Sequence, residues 1–166
     1  MALWKGRGAE LWIAAAVVVL DQATKAIVRA RLPLHESIGV IPGFFDFTHV
    51  RNTGAAFGMF NSLEFEYKPL LMVAVALAAL GAVAAYAFTL PPSQRLARAG
   101  LALILGGAIG NLIDRATAGF VVDFVDLYWK GVHFWAFNVA DSAITIGVSL
   151  MLLDMLGVGR RVSETV

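Results

Sequence analysis

The chain is 166 residues long, 59% hydrophobic and only 15% charged, with a formal net charge of +1. A soluble domain carries about a quarter charged residues and a disordered chain has far less apolar surface, so both classes are excluded. The balanced charge argues against nucleic acid as a partner, and the absence of cysteine removes disulfides, thiol nucleophiles and thiolate metal sites.

An integral membrane protein of this length holds about four spans of roughly 20 residues each. The first is expected over about 11–28, where ten apolar residues run into Asp21, Gln22, Thr24 and Lys25. Lys5 and Arg7 before a short apolar run resemble a cleaved leader. The helical pattern nevertheless continues through Ala26, Ile27 and Val28 with no clean small-residue cleavage site, which favours a retained helix. Next, Pro42-Gly43 reads as a turn, and Phe44-Phe45-Asp46-Phe47-Thr48-His49-Val50 as a short strand or hairpin on the membrane surface, a possible cover for a site. The second span, 69–90, carries no charge and stops at Pro91-Pro92. The third, about 99–113, contains the small-residue pair Gly106 and Gly110, which lets two helices approach closely. The fourth runs over about 137–156. The expectation is an all-α membrane protein of one domain, residues 1–166, with four transmembrane helices and a small periplasmic β-rich segment between the first two.

Lys5 and Arg7, then Arg95 and Arg98, then Arg160 and Arg161 mark alternate ends of the spans, which puts both termini in the cytoplasm. Ionisable residues inside spans are costly, at least ~2.5 kcal/mol each near the centre, and here they are placed non-randomly. Asp21, Thr24 and Lys25 share one helix face, Asn111, Asp114 and Arg115 repeat that spacing, Asn138 and Asp141 stand at i, i+3, and Asp123 and Asp126 lie in the link between. Nearly all of this polarity converges toward the outer leaflet, which points to one outward-facing site.

Each has a structural alternative. Asp21 with Lys25, and Asp114 with Arg115, fit buried ion pairs; Asn111 fits an interhelical hydrogen bond. Asp154, about a dozen residues below Asp141, is expected near the inner interface and solvated. His35, His49 and His133 lack metal-ligand spacing and are expected at the surface or interface, and Ser142 and Ser149 lie in no nucleophile elbow. Two aspartates that share a proton can activate water and protonate a leaving amine without metal, thiol or cofactor. Spacing alone does not say which two pair. A small proton-coupled transporter using Asp21 and Asp141 as a relay is the alternative from another class, disfavoured because the carboxylates cluster at one face and no inverted repeat is visible. A non-enzymatic assembly factor is a third.

Five blocks occur in order: Asp21-Gln22-Ala23-Thr24-Lys25, Arg51-Asn52-Thr53-Gly54-Ala55-Ala56-Phe57-Gly58, Gly110-Asn111-Leu112-Ile113-Asp114-Arg115, Val121-Val122-Asp123-Phe124 and Phe137-Asn138-Val139-Ala140-Asp141-Ser142. Together they resemble the bacterial lipoprotein signal peptidases (signal peptidase II). The resemblance implies an aspartyl endopeptidase of the bacterial inner membrane that removes signal peptides from diacylglyceryl-modified prolipoproteins, cutting before the lipidated cysteine. It implies Asp123 and Asp141 as the catalytic pair, Asn52, Asn111, Arg115 and Asn138 as substrate-binding residues, and Asp21, Lys25 and Asp114 as supporting ones. No metal or cofactor is implied. The expected partners are lipid-modified prolipoproteins and membrane lipids, and the chain is expected to act as a monomer.

The orientation has a direct test. Reporter fusions after Leu90 and Val166 should read cytoplasmic and one after Phe60 external; an external reading at Val166 contradicts the layout.

Overall fold

Backbone groups in hydrocarbon have no water to bond, so apolar runs of this length satisfy them internally as helices. The computed structural model describes residues 7–54 and 65–158. In chain order the elements are α1 (Gly8–Arg31), β1 (Ser37–Ile41), β2 (Phe45–Asn52), α2 (Lys68–Thr89), α3 (Arg95–Ala118), β3 (Val121–Trp129), β4 (Val132–His133) and α4 (Val139–Met155). Among them α1, α2 and α3 are long and apolar enough to cross a membrane, and α4 is shorter at 17 residues. Lys5, Arg160, Arg161, and Ala55 through Gly58 of the second block lie outside the described residues, as does Phe60.

The ends of the helices follow local chemistry. Pro69 opens α2, where a missing N–H costs nothing, and Leu90 turns extended ahead of Pro91. Gly119 closes α3 in the left-handed conformation, its N–H bonded to the Arg115 carbonyl. Helix α4 begins with a capping box in which Asn138 and Asp141 bond each other's backbone N–H reciprocally.

Helix α3 is the axis on which α1, α2 and α4 pack. The expected Gly106/Gly110 pair does meet a neighbour closely: a Cβ at Gly106 would lie 2.8 Å from the Ala14 carbonyl of α1, and one at Gly110 would lie 2.6 Å from Asp21 Oδ2. The opposite face of α3 uses glycines in the same way, with Gly100 against Gly147 and Gly107 against the Ala140 carbonyl of α4. At the end of the bundle away from the sheet, Arg98 pairs with Glu10 at 2.6 Å and Arg7 Nη1 donates to the Ala87 carbonyl.

The strands form one antiparallel sheet in the order β1-β2-β3-β4. It is larger than the expected segment between the first two helices, because the link after α3 supplies β3 and β4. That link reads as β-branched and aromatic over 121–129, and burial of Val121 and Val122 against the bundle turns it into a strand. Between Phe47↔Val125 and Val50↔Asp123, β2 carries one extra residue, a bulge at Thr48-His49. Both of those side chains are buried. His49 is therefore not a surface residue; its Nδ1 lies 2.8 Å from the Leu32 carbonyl and ties the sheet to the end of α1.

Asp154 is likewise buried rather than solvated. Rise along the helix gives its depth but not its face, and it continues the stripe Ala140, Ala143, Gly147 by which α4 packs inward.

If close backbone approach limits α3–α4 packing, Gly107→Val should lower stability in micelles by about 1–3 kcal/mol. Gly81→Val on α2, where a Cβ meets nothing within 4 Å, should stay within about 0.5 kcal/mol of the parent. Equal losses at both positions would count against this packing account.

Candidate active site

The polar residues gather where the helices meet the sheet. Lys25, with no solvent exposure, stands between Asp21 Oδ2 at 2.8 Å and Asp114 Oδ2 at 3.1 Å. It also donates to Asn111 Oδ1 at 2.8 Å. The Asp21–Lys25 pair thus forms as expected, but Asp114 does not pair with Arg115. Neighbours in sequence diverge around a helix; Asp114 faces Lys25 and, at 3.5 Å, Arg29, while Arg115 donates to the Gly54 carbonyl at 2.9 Å and the Asn111 carbonyl at 3.4 Å.

Asp21 and Asp114 each accept from a backbone N–H beside one of the two other aspartates. Asp21 Oδ1 accepts from Ala140 N, next to Asp141. Asp114 Oδ2 accepts from Val122 N, next to Asp123. Asn138 then joins the two directly: its Nδ2 donates to Asp123 Oδ1 at 2.7 Å, and its N–H donates to Asp141 Oδ2 at 3.2 Å. Asn111 Nδ2 donates to Asp141 Oδ1 at 2.8 Å, and Asn52 Nδ2 to Asp123 Oδ2 at 3.1 Å. Phe137, bonded through its carbonyl to the N–H groups of Phe124 and Val125, brings the start of α4 against β3.

These groups open on a groove of about 740 Å³. Asn52, Asn111, Arg115, Asp123 and Asp141 line it together with Met72, Val75, Ala76 and Ala79 of α2. Asn138 has no exposed surface and lies beneath the groove, supporting it. Asp126 is excluded from this set. It stands three residues from Asp123 and so on the other face of β3, where its carboxylate meets His133 Nδ1 at 2.8 Å. Thr24, expected on the polar face, bonds back into its own helix, to the carbonyls of Leu20 and Asp21. Ser142 and Ser149 do the same to Asn138 and Thr145.

Three contributors were given no site role by the sequence. Gln22, inside the first block, reaches Asp21, the Gly110 carbonyl and Asp114 through Nε2. Arg29 continues the Asp21, Lys25 face at i+4, a spacing that could have signalled it. Lys68, at the head of α2, is buried and donates to Thr53 Oγ1 at 2.9 Å.

Burial pushes the Asp123 carboxyl up to about 7, and the charge of Asp141 adds to that, against the Asn52 and Asn138 hydrogen bonds and Lys25. A carboxyl raised in the native state holds a proton that the unfolded chain releases, so stability falls as pH rises from about 4 to about 7. Asp123→Asn removes that titration. Between pH 4.5 and pH 8 the unfolding midpoint in micelles should therefore fall more for the parent than for the variant. Parallel pH profiles would show that Asp123 ionises normally.

A family model described as Signal peptidase (SPase) II matches residues 13–157. The lipoprotein signal peptidase of Geobacter metallireducens is 49% identical over 152 residues, covering 92% of this chain and 93% of that protein. That of Geobacter sulfurreducens is 49% identical over 87% of this chain and 89% of its own. A solved bacterial membrane enzyme structure at 2.3 Å resolution superposes with a TM-score of 0.79 at 34% identity, covering 96% of this chain and 94% of that one. With the sequence match spanning every element that builds the groove, the chain belongs to the signal peptidase II family.

Proposed function

We propose that this protein removes signal peptides from diacylglyceryl-modified prolipoproteins by hydrolysing the peptide bond before the lipidated cysteine, with Asp123 and Asp141 as its catalytic pair. The observation that carries the reading is Asn138, which bonds both carboxylates at the head of a groove with an apolar wall. The transporter alternative finds no support, since the chain belongs to the signal peptidase II family and matches lipoprotein signal peptidases over most of its length.

In this reaction one carboxylate of the pair takes a proton from water as its oxygen attacks the scissile carbonyl. The other, protonated, donates to the carbonyl oxygen; the tetrahedral intermediate then collapses as a proton passes to the leaving amine. A carboxyl held near 7 by burial and by its partner's charge, as Asp123 is, suits the protonated role at neutral pH. Asn52, Asn111 and Arg115, on the groove surface, are assigned to holding the extended substrate backbone, whose unpaired groups are costly in lipid. Asn138, Asp21, Lys25 and Asp114 hold the pair from beneath.

The same reading takes α4 as a fourth span. Its 17 residues reach only about 25 Å at 1.5 Å per residue, and the capped end meets the sheet at the membrane surface. The sheet then faces the periplasm, both termini face the cytoplasm, and the substrate, already anchored in the bilayer, reaches the groove between α2 and α4. One copy of the chain holds every residue assigned to the site.

Asp123→Asn and Asp141→Asn should each abolish cleavage of a lipidated prolipoprotein in micelles while the protein stays folded, with losses beyond the roughly 10²–10⁴-fold typical of one acid–base group. The double variant should be little worse than either single one, because the pair acts as a unit. Asp114→Asn should keep measurable turnover. Cleavage that survives in Asp123→Asn but vanishes in Asp114→Asn would move the pair to Asp114 and Asp141.

A further inference from the structure

The head of α2 holds a feature that neither helix chemistry nor apolar packing accounts for. Lys68 is only 6% exposed and sits in the first turn of a helix, where the macrodipole disfavours a cation. Its ammonium donates to Thr53 Oγ1 at 2.9 Å. Thr53 stands between two residues of the site. Asn52 before it donates to Asp123 Oδ2 and accepts from the Gly54 N–H; Gly54 after it accepts from Arg115. The strand end that presents Asn52 is therefore fastened from two sides, by Arg115 of α3 and by Lys68 of α2.

Helix α2 is also the apolar wall of the groove, through Met72, Val75, Ala76 and Ala79. It reaches the rest of the bundle chiefly through α3. We propose that Lys68 is a positioning residue for cleavage: through Thr53 it couples the head of the groove wall to the amide that Asn52 holds on Asp123. An apolar segment seated against α2 and the hydrogen bond on Asp123 are thereby mechanically linked. The proposal rests on the assignment of Asp123 and Asp141 as the catalytic pair.

The test measures cleavage of a diacylglyceryl-modified prolipoprotein peptide in micelles across pH for Lys68→Met, Lys68→Arg, Thr53→Val and, as a control, Lys130→Met at the exposed hairpin tip. Charged groups that act on or lie beside Asp123 are Asp141 of α4, Lys25 of α1, and Arg115 and Asp114 of α3, and all are retained in these variants. Lys68→Met and Thr53→Val should each lower kcat by about 5- to 50-fold with KM within about twofold, the scale of a slightly misplaced group. Loosening an amide donor that favours the carboxylate form should move the upper limb of the pH profile to higher pH, as a property of the pair. Lys68→Arg should recover most of kcat and restore the limb, and Lys130→Met should match the parent.

If Lys68→Met does not accumulate, Thr53→Val carries the test, because valine keeps the shape and removes the hydroxyl that Lys68 donates to. Parent-like kcat and pH profile in Thr53→Val overturn the coupling. A fall in kcat with an unmoved limb that Lys68→Arg does not recover marks a folding role and overturns it too. Asp123→Asn distinguishes the two levels. Retained cleavage there overturns the pair and this proposal together, whereas abolished cleavage beside parent-like Lys68 and Thr53 variants overturns the coupling alone.

Discussion

Everything at the sheet end of the bundle depends on one lysine held between two carboxylates. Lys25 bridges Asp21 and Asp114 in a place where none of the three has appreciable contact with solvent. With the lysine between them, the two carboxylates can direct their remaining lone pairs at backbone N–H groups of α4 and β3. Three segments distant in sequence are thereby locked to α1. Breaking such a buried pair by removing one partner costs about 3–5 kcal/mol, because a lone charge is left behind. Here the cost would fall on the geometry of Asp123 and Asp141 as much as on stability.

Close packing makes this arrangement possible. Gly110 leaves room for Asp21 to lie against α3, and Gly106 lets α1 come near enough for Lys25 to reach Asn111. A Cβ at Gly106 or Gly110 would come within 2.6–2.8 Å of α1 atoms, so α1 or the Asp21 carboxylate would have to shift. The largest fully buried side chains include Lys25, Asn138, Asp21 and Asp114. The interior at this end is consequently polar, connected and directional, while the remaining helix surface is apolar and suited to lipid. Hydrogen bonds specify position in a way that apolar contacts between helices in a bilayer do not.

Much of this was legible before any coordinates. The long uncharged run ending at Pro91 declares a helix, and i, i+3, i+4 spacing of polar residues declares a shared face. An i, i+4 spacing puts Asp21 and Lys25 together, and a small-residue pair marks Gly106 and Gly110 as a helix contact. Local pattern does not reach features that long-range geometry decides. Burial of Val121 and Val122 against the bundle makes a strand of a link that looked like a connector. The angular position of Asp154 and the bulge that buries His49 also depend on partners far away in sequence. Lys68 gave no local signal, since a lysine just before a proline at the edge of an apolar run ordinarily reads as an interfacial charge.

The bulge at Thr48-His49 has a further consequence. Along a regular strand odd and even positions point to opposite faces, yet Phe47, paired with Val125, and Val50 and Asn52, paired with Asp123 and Val121, all share one face. The extra residue is a parity switch: aromatic packing is read in one phase before it and the site in the other phase after it. Substitutions at Thr48 or His49 leave that phase intact, but losing one residue there would rotate Asn52 away from Asp123 while every side chain remained in the protein. The length of β2 is thus as much a determinant of the site as the identity of any residue it carries.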